Sequence, residues 1–323
     1  MRTINPDEAM ITHTHTSIRL FSKKILKVKE NIGLYFLVLP ALIYVILFDY
    51  VPLYGVLISF ENFKPIKGIW GSDWVGFYHF QRFFKLDIFW VLMRNTVSLS
   101  LYSLIAGFPI PIILALALNS AASKRLKKIV QTVTYAPHFI STVILVGMLN
   151  VFLSPRLGVV SQFLNALGVI NGPLMTLTDP NAFGHLYVWS GIWQGMGWGS
   201  IIYLAALSGV DPSLHEAATV DGANKFQRAW HIDLPSILPT IVTLLILSCG
   251  SILGVGFEKA FLMQNSLNME TSEVISTYVY KMGLLQSQFS FSAAVGLFNS
   301  VINLIMLLTV NKMAKKLGQS GIF

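Results

Sequence analysis

Cysteine and charged residues are both scarce in this sequence. Its 323 residues include one cysteine, Cys249, so the chain can build neither a disulfide framework nor a cysteine-based metal site. Asp, Glu, Lys and Arg make up 12% of the residues, whereas roughly a quarter of a soluble protein is charged. Hydrophobic residues reach 54%, and the mean hydropathy is +0.63. This composition indicates an integral membrane protein.

The chain also lacks the motifs of several enzyme classes. No Gly-Lys dipeptide occurs, so there is no phosphate-binding loop of the form Gly-x-x-x-x-Gly-Lys-Ser/Thr with which this chain could use ATP. The histidines are scattered, without a Ser-His-Asp, Cys-His or His-x-x-x-His arrangement. Glycine groups at 195–199 and 250–256 lie in apolar runs, where close helix packing is the better interpretation. We therefore expect no catalytic residue, metal or cofactor in this chain.

Six apolar stretches are long enough to form membrane-spanning helices, which need about 20 residues. They are approximately 33–59, 94–119, 129–153, 185–208, 236–264 and 289–311. The first is too long for a secretory signal and lacks a small-residue cleavage site, so we expect it to be retained. The sequence predicts an all-α polytopic membrane protein with six transmembrane helices and both termini on one side.

Positive charge is distributed unevenly between the two sides of the predicted membrane domain. Fifteen of the 23 Lys and Arg residues lie at the termini or in the loops on the same side, including a cluster from Lys124 to Lys128. Cytoplasmic loops of membrane proteins carry this excess. The termini and the loop 209–235 are therefore predicted to be cytoplasmic. The same pattern explains the net charge of +8 better than nucleic acid binding, so no nucleic-acid partner is expected.

This topology divides the chain into three parts. Residues 1–31 form a basic cytoplasmic segment, residues 32–312 form the six-helix domain in the lipid bilayer, and residues 313–323 form a cytoplasmic tail. The loops on the outer side are rich in Trp, Tyr and Phe, such as Trp70. We expect these rings at headgroup level, although a delivering protein would also dock on this side.

A polar segment, 209–235, separates the fourth and fifth apolar stretches. Asp211 and Pro212 provide the chemistry of a helix start, since Asp can accept a free backbone N–H and Pro suits the first turn. Gly222 permits left-handed backbone, and Pro235 should end the helical piece that follows. The segment is thus predicted to be a helix–glycine–helix unit lying along the membrane surface.

The same segment resembles the EAA motif of permease subunits in ATP-driven, binding-protein-dependent importers. That motif reads Glu-Ala-Ala, three residues, Gly, nine residues, Ile-x-Leu-Pro, and every fixed position is present here. The matching positions are Glu216, Ala217, Ala218, Gly222, Ile232, Leu234 and Pro235, flanked by Asp221 and Ala223. The resemblance implies that the segment docks into a cleft of a separate ATP-binding subunit, with Glu216 in contact with that subunit.

The resemblance covers nearly the whole chain from about Leu34. Segments 256–259, 278–280 and 295–299 are similar to those of oligo- and polysaccharide permeases. Within this class the chain is similar to one permease subunit of an alginate importer and to permeases assigned to lipo-oligosaccharide uptake, and its residues do not separate the two.

The resemblance carries expectations about fold, partners and location. It implies the type I ABC importer permease fold, a second homologous permease subunit and an extracytoplasmic solute-binding protein. It also implies two ATP-binding subunits, which would bind ATP and Mg, and a place in the bacterial plasma (inner) membrane.

Several polar and aromatic residues lie within the apolar stretches, where they should face other helices or a water-filled cavity. The candidates for a cargo path are Trp189, Trp193, Gln194, Trp198, Ser248, Ser251, Asn299 and Asn303. Trp rings suit stacking on sugar rings, and amides and hydroxyls suit sugar OH groups, but each residue alone could equally join two helices. A polyuronate would favour basic groups on the path; Lys259, Lys281 and Arg156 are available, or are surface charges.

Two other functions are compatible with the composition. A stand-alone ion-coupled transporter would need buried acidic residues in its spans, and only Asp49 and Glu258 come close. A membrane scaffold without cargo is the other. The complete spaced EAA pattern favours the importer permease over both.

Overall fold

A computed structural model describes residues 31–316, 318 and 321. Most of these residues are helical, which confirms the all-α prediction. Within this part of the chain, the strands Glu61–Asn62 (β1) and Asp73–Trp74 (β2) form one short antiparallel pair. The predicted basic segment 1–31 lies outside the described residues apart from its last residue, and part of the tail 313–323 does so too.

The chain divides into two compact units, residues 1–57 and residues 58–323. The first unit is described from residue 31 onward. Its helical segment consists of α1 (Ile32–Val45), a π-helical turn (Ile46–Tyr50) and the start of a 3-10 segment (Val51–Phe60). Asp49 is the one charged residue between Ile32 and Phe60, so this segment has the composition of a membrane span.

The second unit is a succession of helices with short connections. They are α2 (Tyr78–Phe84), α3 (Phe89–Gly107), α4 (Pro109–Asn119), α5 (Lys124–Tyr135), α6 (Thr142–Phe152), α7 (Val159–Ala166), α8 (Pro180–Leu207), α9 (Pro212–Val220), α10 (Lys225–Arg228), α11 (Leu234–Ser236), α12 (Leu238–Cys249), α13 (Phe257–Met263), α14 (Met269–Ser272), α15 (Ile275–Tyr280) and α16 (Phe289–Lys316). A 3-10 turn (Ala136–Phe139) follows α5, and π-helical turns follow α10 (Ala229–Asp233) and α15 (Lys281–Leu285).

Three helices in the described residues are long and apolar enough to cross a membrane: Ile32–Phe60, Phe89–Asn119 and Phe289–Lys316. Two further pairs of consecutive helices are long and apolar enough when each bent pair is taken as one span, which gives up to five spans. Helix α8 is outside that count, although its 28 residues correspond to about 42 Å at 1.5 Å per residue. The structure therefore bears out membrane-spanning helices. By length and composition the described residues give three to five spans, and not the predicted six.

The predicted third span, 129–153, is divided by a sharp bend rather than being one helix. Helix α5 and the turn after it make an angle of 100° with α6. Ile140 is extended at the bend, and Ser141 Oγ then accepts a hydrogen bond of 3.3 Å from Ile144 N–H, which caps α6. Average hydropathy does not register this boundary, because the few polar residues at the bend, such as Ser141, are averaged with the apolar residues around them.

The predicted fifth span, 236–264, is also not one continuous helix. The helical segment that ends at Ser236 is bent by 62° from α12, and α12 itself ends at Cys249. The chain between Gly250 and Gly256 contains no regular helix, and α13 begins only at Phe257. Three glycines in this short stretch disfavour helix by their backbone freedom.

Helix α8 contacts α3, α4, α5 and α14, so it occupies the centre of the second unit. One buried cluster on α8 and α4 contains Ile112, Tyr203 and Leu207, and it is completed by Ile237. Leu234 packs against this cluster from the 209–235 segment. The polar segment is thus attached to the apolar core of the unit through its C-terminal end.

Candidate functional site: the EAA segment and the adjoining cavities

The EAA segment, residues 209–235, begins with a short capped helix. The carboxylate of Asp211 accepts a hydrogen bond of 2.9 Å from the backbone N–H of Ser213, and Pro212 occupies the first turn of α9. This hydrogen bond holds the pKa of the exposed Asp211 below its ordinary value. The predicted helix start is confirmed.

Gly222 separates the two helical parts of the segment. Its φ is +79°, which confirms the predicted left-handed backbone. Asn224 then caps α10: its side-chain oxygen accepts from Gln227 N–H at 2.9 Å, and the Gln227 side chain accepts from Asn224 N–H at 2.8 Å. This reciprocal pair is a capping box.

The prediction that the second helical part stops before Pro235 is wrong. Helical structure continues from α10 through the π-helical turn Ala229–Asp233 into α11, which ends at Ser236. A proline in a helix removes one backbone donor and crowds the carbonyl four residues earlier. The wider π-helical turn directly before Leu234 changes the bonding partners of those carbonyls, and it accommodates Pro235 within the helix.

Two side-chain contacts join the two helical parts. His215 Nε2 on α9 lies 3.2 Å from Asp233 Oδ1, and Arg228 donates a hydrogen bond of 2.9 Å to the Thr219 hydroxyl. Asn119 Nδ2 at the end of α4 donates to the same Asp233 oxygen at 3.3 Å. Asp233 itself is buried. The sequence interpretation did not identify Asp233, since it occupies the variable position of Ile-x-Leu-Pro.

The motif residues are exposed or half-buried, and several of them line a groove. The exposed members are Glu216, Ala217, Asp221, Gly222 and Pro235, and the half-buried members are Ala218, Ala223, Ile232 and Leu234. A groove of about 390 Å³ is lined by Ala218, Asp221, Gly222, Ala223, Gln227, Arg228, His231 and Ile232. The structure thus brings five motif residues together around one accessible concave surface.

An apolar face lies beside this groove. Phe226 and Trp230 have stacked rings with centroids 6.4 Å apart, as expected for residues four apart on a helix. With Ile113, Leu116 and other residues they line a second groove of about 370 Å³ between α10 and α4.

Two of the predicted path residues, Ser248 and Ser251, line a cavity of about 480 Å³. Gln194 lines a neighbouring cavity of about 360 Å³, and its side-chain amide donates a hydrogen bond of 2.7 Å to the carbonyl of Ile140. The two cavities share Ser103, Gly107, Pro111 and Tyr187 in their walls. They therefore adjoin each other among α3, α4 and α8.

The predicted tryptophans lie elsewhere. Trp189 and Trp193 line a third, mostly apolar cavity of about 470 Å³ next to α6, and Trp189 Nε1 donates to the Tyr102 hydroxyl at 2.8 Å. Trp198 stacks on the ring of His138, with centroids 4.5 Å apart. The three Trp residues are thus not on the same cavity as Ser248.

Asn299 and Asn303 on α16 form hydrogen bonds with backbone groups. Asn303 Oδ1 accepts a hydrogen bond of 2.9 Å from Leu253 N–H, and Asn299 Nδ2 donates to the Leu253 carbonyl at 3.5 Å. Leu253 belongs to the non-helical stretch between α12 and α13, whose backbone groups need partners inside a membrane domain. Neither Asn lines the cavities described above.

Charged groups near the cavities are few. Lys259 lines the cavity of Gln194, Lys281 is paired with Glu273 at 2.5 Å, and Arg156 is exposed. Among the described residues no Asp or Glu lines the three cavities, and Glu258 is exposed. This arrangement offers no acidic ion-coupling site in these cavities.

Comparisons with known proteins cover most of the chain. Residues 107–319 match a family model described as "Binding-protein-dependent transport system inner membrane component". The chain is 44% identical to Protein LplB of Bacillus subtilis, over 91% of this chain and 92% of that protein. It is 43% identical to the polygalacturonan/rhamnogalacturonan transport system permease protein YteP of Bacillus subtilis, over 93% and 92%.

Solved structures give the same result. The chain superposes with a TM-score of 0.84 and 40% identity on a chain of a bacterial alginate ABC transporter in complex with an alginate pentasaccharide-bound periplasmic protein, covering 92% of this chain and 98% of that one. A second crystal structure, of a bacterial ABC transporter involved in alginate import, matches with a TM-score of 0.83. The chain belongs to the family of binding-protein-dependent transport system inner membrane components.

Proposed function

We propose that this protein is one of two permease subunits of an ATP-driven importer and forms half of the translocation path for an oligo- or polysaccharide. The accessible groove of the EAA segment is the observation that carries the proposal, because it offers a partner protein an exposed concave surface lined by motif residues. The sequence has no phosphate-binding loop, so the partner we propose for this groove is a separate ATP-binding subunit. Similarity to YteP and to the alginate transporter supports a saccharide cargo, with alginate or a related oligosaccharide favoured.

The proposal assigns ATP hydrolysis to other chains. Two ATP-binding subunits would bind ATP and Mg, and one of them would contact Glu216 and the groove around Gly222. A second homologous permease would complete the path, and an extracytoplasmic solute-binding protein would deliver cargo. The complex would lie in the bacterial inner membrane, with both termini and the EAA segment of this chain in the cytoplasm.

The mechanism follows from a two-state equilibrium. Closure of the ATP-binding subunits must favour the outward-open state by several kcal/mol, about 5.5 for a shift from 1:99 to 99:1. The EAA segment would transmit that free energy to the helices that enclose the cavities. Contacts of Asp233 with α9 and α4, and of Leu234 with the core, provide a route for it.

The test uses the complete complex in proteoliposomes, with uptake and ATP hydrolysis measured together. We expect Glu216→Lys to abolish the stimulation of ATP hydrolysis by cargo-loaded binding protein and to abolish uptake, while the chain still inserts. The matched control is Glu270→Lys, the same charge reversal at an exposed residue of α14, which should leave both activities intact. Full coupling in Glu216→Lys would contradict the docking role.

The cargo is tested in the same preparation. We expect alginate oligosaccharides, delivered by the solute-binding protein, to stimulate ATP hydrolysis more than an uncharged pentasaccharide does. Uptake under a proton or sodium gradient without ATP would instead support a stand-alone ion-coupled transporter.

A further inference from the structure

Lys259 on α13 is the one buried residue among the Lys and Arg residues that the structure describes. Its Nζ donates a hydrogen bond of 2.6 Å to the backbone carbonyl of Tyr187, and the same atom lies 4.8 Å from the centroid of the Tyr187 ring. No carboxylate of the described residues forms an ion pair with it. Since an ammonium group has three N–H donors, two of them remain for another acceptor.

A buried charge is unfavourable unless an opposite charge compensates it. The other two basic residues that the sequence suggested for a path do not share this situation, because Lys281 is neutralised by Glu273 and Arg156 is exposed to solvent. Of these three residues, only Lys259 is buried beside a cavity without a carboxylate partner among the described residues. A ligand can supply the missing negative charge.

The surroundings of Lys259 suit a saccharide. The cavity that Lys259 lines also contains Ser103, Gln194 and Tyr187, and the adjoining cavity adds Ser248 and Ser251. Hydroxyl and amide groups of this kind bind sugar hydroxyls. No Asp or Glu in the described part of the chain lines either cavity, so no like charge in these linings repels a carboxylate.

Gly191 keeps the space in front of the ammonium group open. A Cβ atom at this position would lie 3.1 Å from Lys259 Nζ, so any larger residue would press on the charged group. The helix α8 therefore presents a bare backbone surface where Lys259 enters the cavity.

We propose that Lys259 binds the carboxylate of an acidic saccharide as it passes through this permease, and that it determines a preference for acidic over neutral cargo. This inference rests on the proposed function of saccharide import. It adds a specificity-determining residue on this chain to that function. A purely structural role, in which Lys259 only attaches α13 to the Tyr187 carbonyl, is the competing explanation.

The experiment compares uptake of alginate pentasaccharide with uptake of its carboxyl-reduced, neutral counterpart in proteoliposomes containing the complete complex. Each sugar is supplied at a concentration that saturates the solute-binding protein. In Lys259→Gln we expect uptake of the acidic sugar to fall about ten-fold or more, the loss of one charge-assisted hydrogen bond, with uptake of the neutral sugar changed less than about two-fold. ATP hydrolysis stimulated by loaded binding protein should persist.

Two further variants separate charge from structure. Lys259→Arg keeps the charge and should retain most of the preference, whereas Arg156→Gln removes an exposed charge and should leave it unchanged. An equal loss for both sugars in Lys259→Gln, or an unchanged ratio, would overturn the role of Lys259 while leaving the proposed function intact. If the wild-type complex transports neither sugar, the proposed cargo class itself fails.

Discussion

The imidazole of His215 and the buried carboxylate of Asp233 are 3.2 Å apart, between Nε2 and Oδ1. His215 lies one residue before Glu216 on α9, and Asp233 lies one residue before Leu234, which packs on the core. Asn119 of α4 donates to the same oxygen. One buried oxygen thus connects the exposed motif helix with the end of α4 and the entry to α12.

The first prediction concerns this connection. Asp233→Ala removes the acceptor shared by His215 and Asn119, and hydrogen bonds to a charged group contribute about 1.5–3 kcal/mol each. We expect a lower melting midpoint in detergent and weaker coupling of ATP hydrolysis to uptake. Asp221→Ala is the control for stability, because Asp221 is an exposed carboxylate of the same segment. An unchanged melting midpoint in Asp233→Ala would show that the contact is not stabilising.

The second prediction concerns Gly222. A residue with a side chain costs about 1–2 kcal/mol in left-handed backbone, and no atom lies within 4 Å of a Cβ built on this glycine. Gly222→Val should therefore distort the turn between α9 and α10 through its backbone alone. Gly222→Asn should be milder, because Asn tolerates left-handed backbone.

Coupled ATP hydrolysis and the melting midpoint measure this difference. Equal damage by Val and Asn would indicate that the groove requires the absence of any side chain at position 222, since a partner must approach it. Equal tolerance of both would contradict the conformational argument.

Local chemistry explains why much of the EAA segment could be predicted from sequence. The cap at Asp211 and the left-handed turn at Gly222 depend on residues next to each other in the chain. The contact between His215 and Asp233 could not be predicted in this way, because 18 positions separate them and only the return of the second helical part brings them together. The end of the helix was wrongly predicted at Pro235 for a related reason: the π-helical turn that accommodates this proline has no simple sequence signature.

The cavity residues show the same limit. Polarity inside apolar stretches indicated Ser248 and Asn303 equally, but Ser248 lines one of the three cavities described above and Asn303 lines none of these three. The difference arises from the break between α12 and α13. Leu253 lies in this non-helical stretch, and its backbone N–H donates a hydrogen bond to Asn303 Oδ1. Hydropathy predicts one continuous helix over 236–264, in which the backbone of Leu253 would need no side-chain partner, so the role of Asn303 could not be predicted from it.

The third prediction uses the pKa of Asp211, which its hydrogen bond from Ser213 N–H lowers below the ordinary value of 3.8. A carboxyl with a lowered pKa in the folded state stabilises the fold above its ordinary pKa, and this contribution is lost as the pH falls through the lowered value. Amide hydrogen exchange in α9 should therefore lose protection below about pH 3.8 in the wild type. Asp211→Asn keeps a capping side chain without a titrating group, so its protection should not show this step. The same acid-induced loss in both proteins would exclude Asp211 as its cause.

The fourth prediction tests how closely α8 approaches α5. A Cβ atom at Gly197 would overlap the Thr134 carbonyl, whereas a Cβ at Gly195 would meet nothing within 4 Å. Overpacking typically costs about 1–3 kcal/mol, and replacing a helical glycine by alanine otherwise gains up to about 1 kcal/mol. Gly197→Ala should therefore lower the melting midpoint in detergent, and Gly195→Ala, two residues away on the same helix, should leave it unchanged or raise it. If the two alanine variants behaved alike, the helices would not be in contact at Gly197.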